Sequence, residues 1–126
     1  MSRIKIVTRG GEFFADLDDS DISNAIWLSL PFKPTINMIG GEIYFEMPID
    51  PYVEAGMERV TELKKGDVCW WPGPRALCIF YGPTPLSGDD GKPVSHHPVI
   101  KIGRIEDCEG LDDAGDRQRI LIDKTF

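Results

Sequence analysis

Two glutamates and a tyrosine alternate along one short segment, Gly40 to Pro48. Successive side chains of a strand point to opposite faces, so Glu42, Tyr44 and Glu46 would share one face, opposite the apolar side chains between them. Polar alternation of this kind is expected on the solvated face of any half-buried strand. Two carboxyl groups on one face could also perform acid–base chemistry if one of them were desolvated. The sequence leaves both interpretations open.

An aromatic pair and an arginine surround a proline-rich turn. Trp70 and Trp71 are adjacent and must face opposite ways in a strand. Burial of both, one inside the fold and one under an outer element, is the default interpretation because aromatic side chains are usually buried. An exposed indole beside the turn Pro72-Gly73-Pro74 would instead offer a stacking surface. Arg75 follows this turn and is either solvated, as most such arginines are, or an anchor for a ligand carboxylate or carbonyl.

The two histidines, His96 and His97, are also adjacent. On a strand they would point apart and could not chelate one ion, and no Asp, Glu or Cys follows nearby at ligand spacing. The pair could instead line the mouth of a cleft. No glycine-rich phosphate loop precedes a helix, and neither Ser87 nor Ser95 lies in a G-x-S-x-G motif. The sequence therefore predicts no metal site and no cofactor.

The three cysteines, Cys69, Cys78 and Cys108, are odd in number and form no C-x-x-C pair. Cys69 and Cys78 can approach each other across a hairpin, but small buried thiols are the favoured interpretation. Cys78 lies in an apolar strand, an environment that raises the pKa of a thiol and makes it unreactive.

The composition excludes several classes of partner. The chain has 126 residues and a formal net charge of -7, and it has no local cluster of basic residues, so nucleic acid is not an expected partner. No apolar run is long enough to span a bilayer, and no membrane partner is expected. The amino-terminal segment lacks the apolar core of a signal peptide. These features predict a single domain, residues 1–126, in the cytoplasm.

Thirteen glycines and ten prolines divide the chain into short segments, which favours many strands and few helices. The only segment with a clear helical period begins at Asp18 to Asp21, whose side chains can cap a first turn, and ends at Pro31. A further helical turn fits near Leu111, and the segment 57–68 fits either a helical turn or a strand. Gly82 to Pro98 is predicted to be a long loop, and a bulge is expected at Gly103.

The strand Ala76 to Tyr81 is apolar on both faces, so one face should fill the interior of the fold while the other lies under a covering element. Together these features predict a mostly β, closed antiparallel barrel of about eight strands with one or two short helices.

Three segments carry a family resemblance: GGEIYFEMP (Gly40 to Pro48), KGDVCWWPGPRALCIFYGPTPLS (Lys65 to Ser87) and IGRIEDCEGL (Ile102 to Leu111). Together they resemble the cyclophilin-like family of small prokaryotic proteins of unknown function. The resemblance implies an eight-stranded cyclophilin-like barrel closed by helices.

Catalysis is not implied by this resemblance. Cyclophilins that isomerise prolyl bonds share an arginine closely followed by a Phe-Met-x-Gln cluster, with a later Trp and His. Arg59 occupies the comparable stretch here, but the cluster is absent. No catalytic residue is therefore assigned, and isomerase activity is not expected.

The leading hypothesis is a binding module for a peptide or small organic ligand. Its predicted site is a shallow cleft with apolar walls and a few polar groups, bordered by the 82–98 loop and formed by Tyr44, Glu46, Trp71, Arg75, Tyr81 and His96. One alternative is a degenerate prolyl isomerase that uses Arg59 or Arg75. Another is a hydrolase or lyase, which would need Glu42 or Glu46 to be buried beside a pocket. A subunit that docks on a protein partner through an exposed tryptophan is also compatible with the sequence, as is a homo-oligomer.

Overall fold

The computed structural model describes residues 2–126. These residues form a curled antiparallel sheet, one α-helix and one 3₁₀ turn: β1 (Ser2–Thr8), β2 (Gly11–Leu17), α1 (Asp21–Ser29), β3 (Asn37–Ile39), β4 (Glu42–Glu46), β5 (Val60–Glu62), β6 (Asp67–Trp71), β7 (Ala76–Phe80), β8 (Val94–Ile105), the 3₁₀ turn η1 (Leu111–Asp113) and β9 (Leu121–Thr125). Within these residues, no helix has the length and apolar character needed to cross a bilayer.

The prediction of a mostly β, antiparallel fold is confirmed, but the sheet is an open half-barrel rather than a closed ladder. The strand order is β3-β4-β7-β6-β8-β2-β1-β9, with β5 paired to β8 beside this path. The two end strands are joined through isolated bridges, Phe32 to Ile122 and Thr35 to Arg119. Pro31 and Pro34 interrupt this segment, and a proline has no N–H to donate to a ladder. The segment therefore crosses the gap without becoming a continuous strand.

The inner face of the sheet packs against α1. The helix begins as predicted: the Ser20 hydroxyl accepts a hydrogen bond from the Ser23 N–H at 3.2 Å, and Asp18 accepts from the hydroxyls of both serines at 2.6 Å. Ile22 and Ile26 follow at helical spacing and are fully buried. They join the inward side chains of the sheet in one core, among them Phe45, Trp70, Leu77 and Ile79.

The outer face of the sheet carries a second, smaller apolar cluster. We call it the outer cluster, and its buried members are Leu63, Cys69, Cys78, Phe80 and Val99. β7 is thus buried on both faces, as the sequence predicts. Cys69 lies directly opposite Cys78 in the β6–β7 pair, and both are free thiols.

β5 and the first half of β8 cover the outer cluster. Val60 pairs with Val99 and Glu62 with Val94, so the ambiguous segment before Gly66 is a strand. The predicted loop is shorter than expected because β8 already begins at Val94. The Thr84 hydroxyl donates a hydrogen bond to the Val94 carbonyl at 2.6 Å and ties the remaining loop to this strand. The start of β8 is thereby held over the outer face of the sheet.

The bulge predicted near Gly103 is present in the middle of β8. Val68 pairs with Gly103 while Cys69 pairs with Lys101, so one residue is extra in β8. A Cβ atom added at Gly103 would overlap the Asp16 carbonyl oxygen and lie 2.8 Å from Leu17 Cδ2. The backbones of β2 and β8 are therefore too close for any side chain here.

Replacing this glycine should destabilise the fold. We expect Gly103→Ala to lower the free energy of unfolding by about 1–3 kcal/mol, since a tightly packed site must shift to admit a methyl group. Chemical denaturation followed by circular dichroism measures this. Gly88→Ala is the matched control, because a Cβ at Gly88 would meet nothing within 4 Å. Equal stability of the two variants would contradict the close approach of β2 and β8.

Candidate functional site

Glu42 is buried at the start of β4, on the outer face of the sheet. Only 6% of its surface is exposed. Its side chain lies beside the outer cluster, because Glu42 pairs directly with Phe80 of β7. It also lines a cavity of about 170 Å³, which we call the Glu42 cavity and which is bounded chiefly by Glu42, Tyr44, Trp71, Ser95, His96 and His97.

Burial changes the acid–base behaviour of Glu42. Loss of hydration raises the pKa of its carboxyl group from 4.5 to about 7, although the Cys78 thiol donates a hydrogen bond that favours the charged form. The same surroundings raise the pKa of Cys78 well above its usual value, through burial and the nearby Glu42. Glu42 therefore exchanges its proton near neutral pH, whereas Cys78 stays a thiol. The polar face of β4 is therefore divided: Glu42 is desolvated, whereas Glu46 is exposed to solvent.

Aromatic rings form one wall of the Glu42 cavity. Trp71 is half-buried, with its ring 6.5 Å from that of Tyr44 in an edge-to-face arrangement. The His97 ring stacks on the indole of Trp71 at 4.3 Å with an interplanar angle of 16°. Trp70, the neighbour of Trp71, is 1% exposed and belongs to the inner core. The two tryptophans therefore face opposite ways, and only Trp71 reaches the cavity.

The beginning of β8 completes the lining of the cavity. The buried Ser95 hydroxyl donates a hydrogen bond to the His97 carbonyl at 2.6 Å and accepts one from the His97 N–H at 3.2 Å. These two bonds fix the backbone that presents the His97 ring to Trp71. His96, which is exposed, also lines the cavity.

A second depression adjoins the first. We call it the Arg117 groove; it has a volume of about 450 Å³ and shares Tyr44 and Trp71 with the Glu42 cavity. Asn37, Glu46 and Arg117 provide its polar groups. The shared aromatic side chains thus separate a buried carboxyl group on one side from a guanidinium on the other.

The six residues predicted to bind a ligand do not converge on one cavity. Tyr44, Trp71 and His96 line the Glu42 cavity, and Glu46 lines the Arg117 groove. Arg75 lines a separate groove with Glu46 and forms an exposed ion pair with Asp50 at 3.9 Å, rather than lying over Trp71.

Tyr81 is also separate from the Glu42 cavity. Its hydroxyl donates a hydrogen bond to the Gly40 carbonyl at 3.0 Å, and its ring lines another depression with Lys65 and Asp112. Its direction follows from strand alternation, since it points the same way as Leu77 and Ile79 and packs against the inner core.

Sequence reasoning did not place Ser95, His97 or Arg117 in the predicted site. The adjacency of the two histidines was a signal for His97, since both of them line the cavity. Arg117 gave no signal, since it is far from Tyr44 in sequence and approaches it only through the bridges that span the open side of the sheet. Among residues 2–126, no group of three or more His, Cys, Asp or Glu could hold a metal ion.

The raised pKa of Glu42 predicts how stability varies with pH. The folded state binds the Glu42 proton more tightly than the unfolded state, so the contribution of this group is fully present below about pH 4.5 and is lost as the pH rises through about 7. From about pH 5 to pH 8 the free energy of unfolding should fall by about 2–3 kcal/mol more in the wild type than in Glu42→Gln. Urea denaturation at both pH values measures the difference.

Glu46→Gln is the control for that experiment, because this residue lies on the same strand face and is exposed. It should follow the wild-type pH dependence. If Glu42→Gln and Glu46→Gln behave alike, Glu42 is not desolvated.

A protein-family model described as Cyclophilin-like matches residues 2–123. The solution structure of a hypothetical protein from Archaeoglobus fulgidus is similar, with a TM-score of 0.76 and 33% identity, covering 98% of this chain and 95% of that one. No curated protein matches the chain.

Two more distant structures share the fold. McbB, solved in complex with tryptophan, has a TM-score of 0.69 and 20% identity, over 97% of this chain and 44% of that one. A cyclophilin-type peptidyl-prolyl cis-trans isomerase from Cryptosporidium parvum has a TM-score of 0.60 and 16% identity, over 99% of this chain and 98% of that one.

Proposed function

The chain belongs to the cyclophilin-like family, and from this premise we propose that it is a binding module for a small organic ligand with an amine and a flat ring. The ligand binds in the Glu42 cavity. One observation carries the proposal: the carboxyl group of Glu42 is buried beside a cavity and has no cationic partner within residues 2–126. A buried carboxyl group without an opposite charge beside it has a high free energy when it is ionised.

An ammonium group is the complement that this site requires. It would supply the missing opposite charge to Glu42, and charge pairs interact more strongly in a partly desolvated site than in water. The face of the Trp71 indole that His97 does not cover would stabilise the same cation, or stack on a ring attached to it. The volume of about 170 Å³ is below that of most drug-sized sites, so the cavity accommodates the amine-bearing part of a ligand.

The ligand of a structural neighbour guides the choice of probe. McbB was solved with tryptophan, a molecule that combines an amine with an indole ring. We therefore choose tryptamine, which has the ring and the amine alone. Tryptophol is its matched neutral analogue, because a hydroxyl group replaces the amine.

Calorimetric titration and amide NMR test the proposal. Tryptamine should bind and tryptophol should bind at least about tenfold more weakly, because only tryptamine can pair with the Glu42 carboxylate. Amide shifts should concentrate at residues 39–44, 69–71 and 94–97. Absence of tryptamine binding, or shifts confined to other parts of the chain, would overturn the proposal.

A second candidate function is acid–base catalysis by Glu42. A hydrolase or lyase on this fold would need a glutamate buried beside a pocket, and Glu42 meets that condition. A carboxyl group with a pKa of about 7 is also suited to proton transfer at neutral pH. Turnover of small amides or esters, lost in Glu42→Gln but retained in Glu46→Gln, would favour this enzyme. Binding of tryptamine with no turnover of such compounds would favour the binding module.

We do not expect prolyl isomerase activity. Arg59 is exposed, Arg75 pairs with Asp50, and neither lines the Glu42 cavity. A protease-coupled assay on Xaa-Pro peptides should give the uncatalysed exchange rate, which corresponds to tens of seconds or longer. An acceleration that grows with protein concentration and disappears in Arg59→Ala or Arg75→Ala would establish the isomerase instead.

A further inference from the structure

We infer that the ligand also carries a carboxylate, which Arg117 binds in the Arg117 groove. The amine and the carboxylate of the ligand are separated by about the length of a dipeptide. The inference rests on the proposed function, because it extends the same ligand across the aromatic wall of Tyr44 and Trp71. The ligand class is therefore a short peptide with an aromatic first residue.

Arg117 is held over the groove in an unfavourable backbone conformation. Its φ angle is 63°, in the left-handed region that most side chains avoid. The backbone N–H of Arg117 donates to the Ile36 carbonyl at 2.9 Å, and its guanidinium donates to the side-chain oxygen of Asn37. A glycine would adopt this turn at lower cost. The bond to Asn37 holds the guanidinium at the groove, which makes it a candidate ligand group.

The positive charge of Arg117 is not neutralised within residues 2–126. No carboxylate oxygen of these residues lies within 4.0 Å of its guanidinium. The neighbouring Asp116 instead accepts a hydrogen bond from the Met38 N–H at 2.9 Å. Glu46 lines the same groove without forming an ion pair with Arg117. A guanidinium has five N–H donors, so it can hold a carboxylate with two parallel hydrogen bonds while it still contacts Asn37.

The strand register sets the scale for the separation of the two charges. Asn37, the partner of Arg117, lies directly opposite Tyr44, and Glu42 lies two residues farther along the same face of β4. Two residues of a strand span about 7 Å. The amine nitrogen and carboxyl carbon of a single amino acid are only about 2.5 Å apart, whereas those of an extended dipeptide are about 6 Å apart. An extended dipeptide matches this spacing more closely than a single amino acid does.

The test compares tryptophyl-glycine with tryptophyl-glycinamide, in which the carboxylate is replaced by a neutral amide. Calorimetric titrations are made on the wild type and on two variants that each lose one positive charge, Arg117→Gln and Arg104→Gln. Arg104 is an exposed residue of β8 that lines neither the cavity nor the groove. Both variants are substituted at exposed positions, and thermal unfolding confirms that each is folded.

The wild type should bind tryptophyl-glycine at least about tenfold more tightly than its amide, because the amide cannot form charge-assisted bonds with a guanidinium. Arg117→Gln should bind both equally, and Arg104→Gln should keep the wild-type preference. Free tryptophan should bind more weakly than tryptophyl-glycine.

Each contrary outcome has a definite meaning. If the wild type binds the dipeptide and its amide equally, the carboxylate site is wrong while the amine site in the Glu42 cavity stands. If free tryptophan binds as tightly as the dipeptide, the inferred spacing is wrong. If neither peptide nor tryptamine binds, both the proposed function and this inference are overturned.

Discussion

Trp71→Ala should weaken the binding of tryptamine by at least about thirtyfold, because Trp71 forms the wall shared by the Glu42 cavity and the Arg117 groove. The substitution removes the stacking surface for the ligand ring and also the surface against which His97 packs. Since Trp71 is only half-buried, its loss should lower the free energy of unfolding by no more than about 1–2 kcal/mol. Titration of tryptamine into the folded variant measures the effect.

Tyr52→Ala is the control for this prediction, because Tyr52 is an aromatic residue with 68% of its surface exposed and lies outside both the cavity and the groove. It should bind tryptamine as the wild type does. Wild-type affinity in Trp71→Ala would exclude the aromatic wall as the binding surface.

Trp70→Ala should have the largest effect on stability, about 3–5 kcal/mol, although Trp70 is adjacent to Trp71 in sequence. Trp70 is 1% exposed and is the largest fully buried side chain of the inner core. Its removal leaves a cavity between the sheet and its packing partners that the surroundings cannot fully close. Chemical denaturation of the two tryptophan variants side by side provides the measurement.

A large loss of stability in Trp70→Ala and a small loss in Trp71→Ala would show that β6 has one face inside the core and one face outside it. If Trp70→Ala is no less stable than Trp71→Ala, the assignment of the two faces is wrong. If Trp70→Ala is unfolded at room temperature, the predicted order of stabilities still holds.

Local sequence patterns were sufficient to predict much of the fold. The capping residues before α1 and Pro31 after it delimit a helix, and strand alternation separates Phe45, which is buried in the core, from the polar face of β4. The family resemblance agrees with the match over residues 2–123. Closure of the barrel was predicted incorrectly because it depends on how the proline-interrupted segment 31–36 meets β9, which is a long-range contact without a local pattern.

The site was less predictable because its chemistry depends on what covers the sheet. Glu42 and Glu46 are equivalent in the alternation of β4, yet only Glu42 lies beside Phe80 and under the start of β8. That difference in burial is decided by pairing between distant segments. The prediction that Arg75 belongs to the ligand site relied on proximity in sequence. Its backbone is left-handed (φ 57°), and its side chain lines a different groove, where it pairs with Asp50.

Proton release on ligand binding tests the central claim most directly. A carboxyl group with a pKa of about 7 is about half protonated at neutral pH, and a bound ammonium favours its charged form. Calorimetric titration of tryptamine near pH 7, in buffers that differ in ionisation enthalpy, should show about half a proton released per ligand bound. Glu42→Gln should show none. No release from the wild type, or the same release from Glu42→Gln, would contradict the assignment of Glu42 as the counter-charge of the ligand.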